Sequence, residues 1–187
     1  MFMIISITTE DKIGKPMSEQ SQAIEKALQT KAPKDVVYAF LVNTSKELVA
    51  KAAEQLVAAD ADYVSLNFSN PELKRIEPWA GSTQGRDVYV YTFENVGTYW
   101  NVDDFQITDM LAEGETVAVF GQFTYTSVHA KNTFTSPFSI KTIVKDGLIT
   151  YFQFMEDTYA SAASFRVGGE WIIQQDADAT KNFSVSK

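Results

Sequence analysis

Apolar residues recur at helical spacing through the first half of the chain and at strand spacing through the second. Between Ser18 and Lys31, Ile24, Ala27 and Leu28 share one face, which predicts a helix with a narrow apolar stripe. Ala32-Pro33 breaks it, and Val36, Val37, Phe40 and Leu41 resume helical spacing over Asp35–Asn43. Thr44-Ser45-Lys46-Glu47 matches a capping box and predicts a further helix with Val49, Ala52, Ala53, Leu56, Ala59 and Tyr63 on one side. Its end runs into a strand-like Tyr63–Phe68. Asn70-Pro71 and Glu77-Pro78-Trp79-Ala80-Gly81 read as loops. Arg86–Trp100 repeats Tyr89, Phe93, Val96 and Trp100 at helical spacing, but its aromatic and β-branched content makes it a helix that packing must hold.

From Phe105 onward the pattern is strands: Phe105–Leu111, Thr116–Thr126, Thr133–Val144 and Leu148–Asp157. Asp146-Gly147 favours a two-residue hairpin turn, so Lys145 faces Leu148 and the pairing runs outward through Ile140–Gln153 and Phe138–Met155 to Ser136–Asp157. One face then carries Val144, Ile149, Thr142, Tyr151, Ile140, Gln153, Phe138, Met155 and Asp157, an apolar wall with a few polar groups that suits a ligand cavity. The other carries Phe152, Phe154 and Glu156 among polar residues, which suits contact with another chain. A last helix over Thr158–Phe165, an edge strand at Glu170–Gln174 and a polar, mobile tail after Asp176 complete the reading. Helices followed by antiparallel strands predict an α+β fold, a curved antiparallel sheet wrapped around N-terminal helices with one mouth for a small ligand.

The totals narrow the function classes. A 187-residue chain with 45% hydrophobic and 13% aromatic residues has enough apolar material for one domain with extensions. The organisation expected is an extension and accessory helix over 1–33, a cone domain over 34–166, and an edge strand and tail over 167–187. A net charge of −8 disfavours nucleic acid and anionic membrane as partners. Without cysteine there is no disulfide or thiolate chemistry, and one histidine, His129, cannot build a multi-histidine metal centre. No GxGxxG or Walker sequence occurs, so neither cofactor nor metal is expected. The opening MFMIISITTEDKIGKP has no basic leader and is too short for a membrane helix; Met17 is the expected start, in a soluble, cytoplasmic protein.

Pro78-Trp79-Ala80-Gly81 with Gly85, then Val117-Ala118-Val119-Phe120-Gly121, then Asp146-Gly147-x-Ile149 leading to Asp157-Thr158, form an ordered set. That set resembles the nuclear transport factor 2-like superfamily, and within it the SnoaL-like and ketosteroid-isomerase-related proteins, over Lys34–Phe165. The resemblance implies a cone-shaped, cystatin-like α+β barrel and a homodimer. It also implies either cofactor-independent acid/base chemistry (isomerase, cyclase or dehydratase type) on a small apolar carbonyl or hydroxyl compound, or a non-catalytic ligand-binding or scaffold domain.

Asp157 has two readings: the base or acid that moves a proton, or the N-cap of the last helix. Tyr151 is the candidate oxygen donor; Tyr63, Tyr89, Tyr91 and Tyr125 also supply hydroxyls. The expected pocket is Tyr63, Trp79, Tyr89, Phe93, Trp100, Phe138, Ile140, Gln153 and Met155, with Trp79 either lining it or plugging the base of the cone. Phe152 and Phe154 are the expected dimer contacts. Glu156 reads as a surface or interface charge, Asp109 as an alternative carboxylate of unassigned facing, and His129 as a solvated loop residue.

Overall fold

The computed structural model describes residues 18–173 and 183–186. The expected start at Met17 and most of the expected mobile tail lie outside these residues. Three helices come first: α1 (Glu19–Thr30), α2 (Pro33–Leu41) and α3 (Val49–Leu56). α1 buries Ala23 and Ala27 against α2. In α2 Val36, Val37, Ala39, Phe40 and Leu41 are all buried, which makes it the central helix of the core. The expected capping box does not form. Thr44 Oγ1 instead donates to the Leu41 carbonyl at 3.0 Å, finishing α2, and the chain turns through Ser45 before α3 begins without a side-chain cap.

α3 ends earlier than its apolar pattern suggests. Strand β1 (Val57–Ser65) starts at once, because it pairs on both sides, with β6 (Leu148–Glu156) and with a short β2 (Gly81–Gln84). Pairing outweighs the helix preference of Ala58, Ala59 and Ala61. The Asn70-Pro71 punctuation opens a short helix, α4 (Pro71–Ile76), whose N-cap Asn70 accepts from the Glu72 and Leu73 amides. α5 (Arg86–Tyr99) follows, then β3 (Trp100–Glu113), β4 (Thr116–Ser127), β5 (Thr133–Lys145), β6 and α6 (Thr158–Ala163).

The main sheet has the order β2-β1-β6-β5-β4-β3; every pair is antiparallel except β1 with β6, and the sheet is not closed. The architecture is the expected α+β cone. Two expectations at the C-terminus are corrected. The strand at Glu170–Ile173 (β7) does not edge the main sheet but pairs with Phe183–Ser186 (β8), a strand in the segment read as tail. Among the described residues no helix is long and apolar enough to cross a membrane.

Curvature comes from bulges. Register shifts interrupt the β3–β4 pairing at Val102/Asp104 and at Ile107/Asp109, bending a strand of 14 residues around the helices. Gly121 sits opposite the second bulge, and a Cβ there would lie 2.0 Å from the Gln106 carbonyl oxygen and 2.6 Å from the Phe138 ring. The missing side chain lets Phe138 lie across the strand and stack on Phe105 at 4.8 Å. Gly121→Ala is therefore expected to cost about 3 kcal/mol in urea denaturation, a core-overpacking penalty.

A third bulge decides which residues face the helices. Asp146 and Gly147 both have positive φ (52° and 83°), as a primed two-residue turn requires. Lys145 faces Leu148 and Val144 faces Ile149, but Ile143 then faces Tyr151, leaving Thr150 without an opposite number. Beyond it Ile140 pairs with Phe154 and Phe138 with Glu156, one residue away from the expected register. A slip of one residue exchanges the faces. Phe152, Phe154 and Glu156 point into the cone, and Tyr151, Gln153 and Met155 point out.

Candidate functional site

The narrow part of the cone is filled by rings. Phe40 meets Tyr89, Phe93 and Phe152 edge-on at 5.8, 5.7 and 5.9 Å, and Tyr63 stacks on Phe152 at 5.3 Å. The wide part is left open as a cavity of about 180 Å³ between the concave sheet, α5 and the loop after α4. Tyr63, Trp79, Phe93 and Trp100 line it, as do Phe105, Tyr125, Phe134 and Phe154. Trp79 and Trp100 meet edge-on at 5.4 Å, and Tyr99 stacks on the outer side of Trp79 at 5.8 Å.

The other expected pocket residues stand elsewhere. Tyr89 is fully buried in the core and donates its hydroxyl to the Asp62 carbonyl at 2.7 Å. Phe138 and Ile140 face inward but are packed into the core. Gln153 and Met155 lie on the outer face, as does Tyr151, whose hydroxyl donates to Gln153 Oε1 at 3.0 Å and so is not an oxygen donor in the cavity. Phe152 is 0% exposed and Phe154 lines the cavity, so neither can be a dimer contact. His129 is exposed at the β4–β5 turn, and Asp109 is exposed on β3.

Asp157 is the N-cap of α6: its Oδ1 accepts the Ala160 amide at 3.0 Å, and the side chain is exposed. Replacing it by Ala should lower stability by about 1 kcal/mol, while Asn, an equally good cap, should cost far less. Urea denaturation of the two variants checks this.

The carboxyls that do reach the cavity are Glu156, at the end of β6, and Glu77, at the end of α4. Backbone geometry holds both. The Glu77 amide donates to the Leu73 carbonyl at 2.7 Å and its carbonyl accepts from Ala80 at 2.9 Å, which fixes the turn into Pro78-Trp79. Beyond Glu156 the chain is pinned by the Asp157 amide, which donates to Ser136 Oγ at 2.9 Å. α6 closes the floor. Trp100 Nε1 donates to Ser164 Oγ at 2.8 Å, Ser127 Oγ donates to the Ser164 carbonyl at 2.8 Å, and Asn132 Nδ2 donates to the Ser164 and Arg166 carbonyls. This sets the Ser161 hydroxyl beside both glutamates.

Burial dominates the electrostatics. Glu77 is 0% exposed, neither carboxyl oxygen has a hydrogen-bond partner among the described residues, and its pKa is pushed up from 4.5 to about 7 by burial. Glu156 is half-buried with its carboxyl toward the cavity, and is pushed up to about 8 by burial, then by the negative charge of Glu77. The Ser161 hydroxyl acts on both in the opposite sense, although it donates at 3.3 Å to the Thr158 carbonyl. Burial and the Glu156 charge raise Tyr63 and Tyr125, so both remain neutral phenols able to donate. Thr92 Oγ1 is another buried polar atom of the lining without a partner among the described residues. Of the lining residues Lys46 alone is cationic; it is exposed, and its Nζ donates to Thr98 Oγ1 at 3.4 Å. Among the described residues no three acidic or histidine side chains converge as a metal site.

No protein-family model matches the chain. It is 38% identical over 132 residues to patulin synthesis protein F of Aspergillus clavatus, covering 69% of this chain and 67% of that protein. The chain spans about two thirds of the length of the curated relatives it matches. Among solved structures, an NTF2-like protein from Burkholderia thailandensis aligns with a TM-score of 0.59 and 21% identity, covering 72% of this chain and 97% of that one. A candidate SnoaL-like polyketide cyclase from Mesorhizobium loti aligns with a TM-score of 0.50 and 17% identity, covering 64% of this chain and 95% of that one. The chain thus has the NTF2-like fold of SnoaL-like proteins and belongs to the family of patulin synthesis protein F.

Proposed function

We propose that this protein processes a small, mostly apolar molecule in the cavity by acid/base chemistry, with Glu156 as the group that moves the proton. The observation that carries this reading is a carboxyl facing an aromatic cavity and pushed up to about 8, so that it holds a proton at neutral pH. Glu156 gives that proton to a carbonyl or hydroxyl oxygen of the ligand. The carboxylate left behind then takes a proton from a neighbouring carbon. The net result is a relocated proton, as in an isomerisation, or the first half of a dehydration or ring closure. Tyr63 and Tyr125 donate to the oxygen on which charge develops. No cofactor enters this scheme.

Size narrows the ligand. A cavity of about 150 Å³ takes benzene, so about 180 Å³ suits a single ring with a few substituents rather than a steroid. The relative's name ties that protein to the synthesis of patulin, which supports a biosynthetic small molecule as ligand here. The test is a thermal-shift screen of single-ring enones and hydroxy ketones, each hit then assayed for turnover with the parent and with Glu156→Gln. Turnover by the parent alone, with binding by both, supports the reading. Binding without turnover in either makes the domain a non-catalytic ligand binder.

We propose further that the chain forms a homodimer through the outer sheet face. Phe120 is 43% exposed there, in a row that continues through Ser139 to Met155, and Leu111 is 63% exposed in the row that runs through Ala118 and Lys141 to Gln153. Sedimentation velocity at micromolar concentration reports the state, and a monomer overturns the assignment.

A further inference from the structure

Glu77 has no role in the scheme above, yet it is the most unusual side chain in the molecule. It is 0% exposed, both of its carboxyl oxygens lack a partner among the described residues, and it ends a short helix. A buried ionised carboxylate with no cation and no donors is not sustainable, so the group must share its charge with a neighbour or hold a proton. The neighbour is Glu156, which lines the same cavity, with the Ser161 hydroxyl beside both.

We infer that Glu77, Ser161 and Glu156 form one proton-holding unit, in which the two carboxyls keep a single proton between them near neutral pH and Glu77 is the positioning residue that keeps Glu156 supplied with it. The inference deepens the acid/base reading and rests on the unpartnered burial of Glu77 in the cavity that Glu156 also lines; its test reads titration, not turnover. Like charges facing one buried cavity cannot both ionise cheaply, so the two carboxyls titrate as a pair. The groups around the pair are Tyr63 on β1, Tyr125 on β4 and Ser161 on α6, with the exposed Asp157 next to Glu156 in the chain; Lys46 lines the same cavity but is exposed and donates to Thr98 Oγ1. No cation offsets the Glu156 charge, and Asp157 adds a further repulsion that keeps the proton in place. Ser161 works in the opposite sense: its hydroxyl can leave the long bond to the Thr158 carbonyl and donate to either carboxylate.

The two variants that follow have opposite signs. Glu77→Gln keeps the shape and removes the repelling charge, so Glu156 should release its proton at a pH lower by about one unit. Ser161→Ala removes the donor, so the release should move to higher pH. Carbon-13 NMR of carboxyl-labelled glutamate, followed from pH 5 to 10 in the full chain without ligand, reads both, with Glu156→Gln assigning the resonance. The inference is overturned if Glu156 titrates unchanged in Glu77→Gln. Should that variant not fold, Ser161→Ala decides alone: an upward move supports the unit, and an unchanged or downward one refutes it. A protein that turns over nothing in the ligand screen would still give this titration, so the two readings fail separately.

Discussion

The protein should lose stability as pH rises from 5 to 9, a window in which solvated carboxylates are already ionised and contribute no slope. The sign follows from linkage. Glu77 has a folded-state pKa of about 7 against an ordinary 4.5, so between these values the folded state binds more protons than the unfolded state, and stability falls with increasing pH. Below pH 4.5 the group is protonated in both states and costs nothing; above about 7 the full penalty is present. A shift of that size corresponds to about 3 kcal/mol, a large fraction of the stability of a domain of this size. Glu156, raised to about 8, extends the decline to higher pH. Glu77→Gln removes the first part and should be more stable than the parent at pH 9 and closely similar at pH 4. Urea denaturation at four pH values measures this. A parent whose stability is flat or rises from pH 5 to 9 contradicts the burial of both carboxyls.

The second large effect is on chemistry. Glu156→Gln retains the size and hydrogen-bonding capacity of the side chain but can neither give nor take a proton. Turnover of a ligand found by thermal shift should fall by about 10²–10⁴-fold, the usual contribution of a positioned acid or base, while the ligand's stabilising effect on the fold stays close to that of the parent. In the parent, steps that need the protonated form should slow above pH 8, where Glu156 loses its proton. A loss of binding equal to the loss of turnover would mean that Glu156 holds the ligand without reacting with it.

The unpaired Thr150 separates what the sequence of the β5–β6 hairpin reveals from what it hides. The turn at Asp146-Gly147 was legible because two positive-φ residues are needed there, and with it the inward facing of Val144, Ile140 and Phe138 on β5. The β6 half of the wall was reversed by the single bulge, which moved the site from Tyr151 and Asp157 to Phe154 and Glu156. A mark of it is present in the sequence: Ile149 and then Phe152 and Phe154 change parity, which an unbroken alternating strand facing one core would not do. Glu77 carried no comparable mark. It precedes Pro78 in a stretch without periodicity, and its burial depends on how α6 folds back under the sheet through Trp100 and Ser164. The order of helices and strands could be read because each is a local pattern; the identity of the carboxyls facing the cavity could not, because it depends on register and on long-range closure.

Acid/base chemistry at Glu156 requires it to exchange a carbon-bound hydrogen of a compound held in the cavity. Incubation of a bound single-ring ketone with the protein in D₂O, followed by proton NMR of the ligand, measures that event directly. The account predicts that deuterium enters the position next to the carbonyl with the parent and not with Glu156→Gln, although both bind the compound. Exchange at the same rate with both proteins, or none with the parent while the ligand is bound, would contradict it.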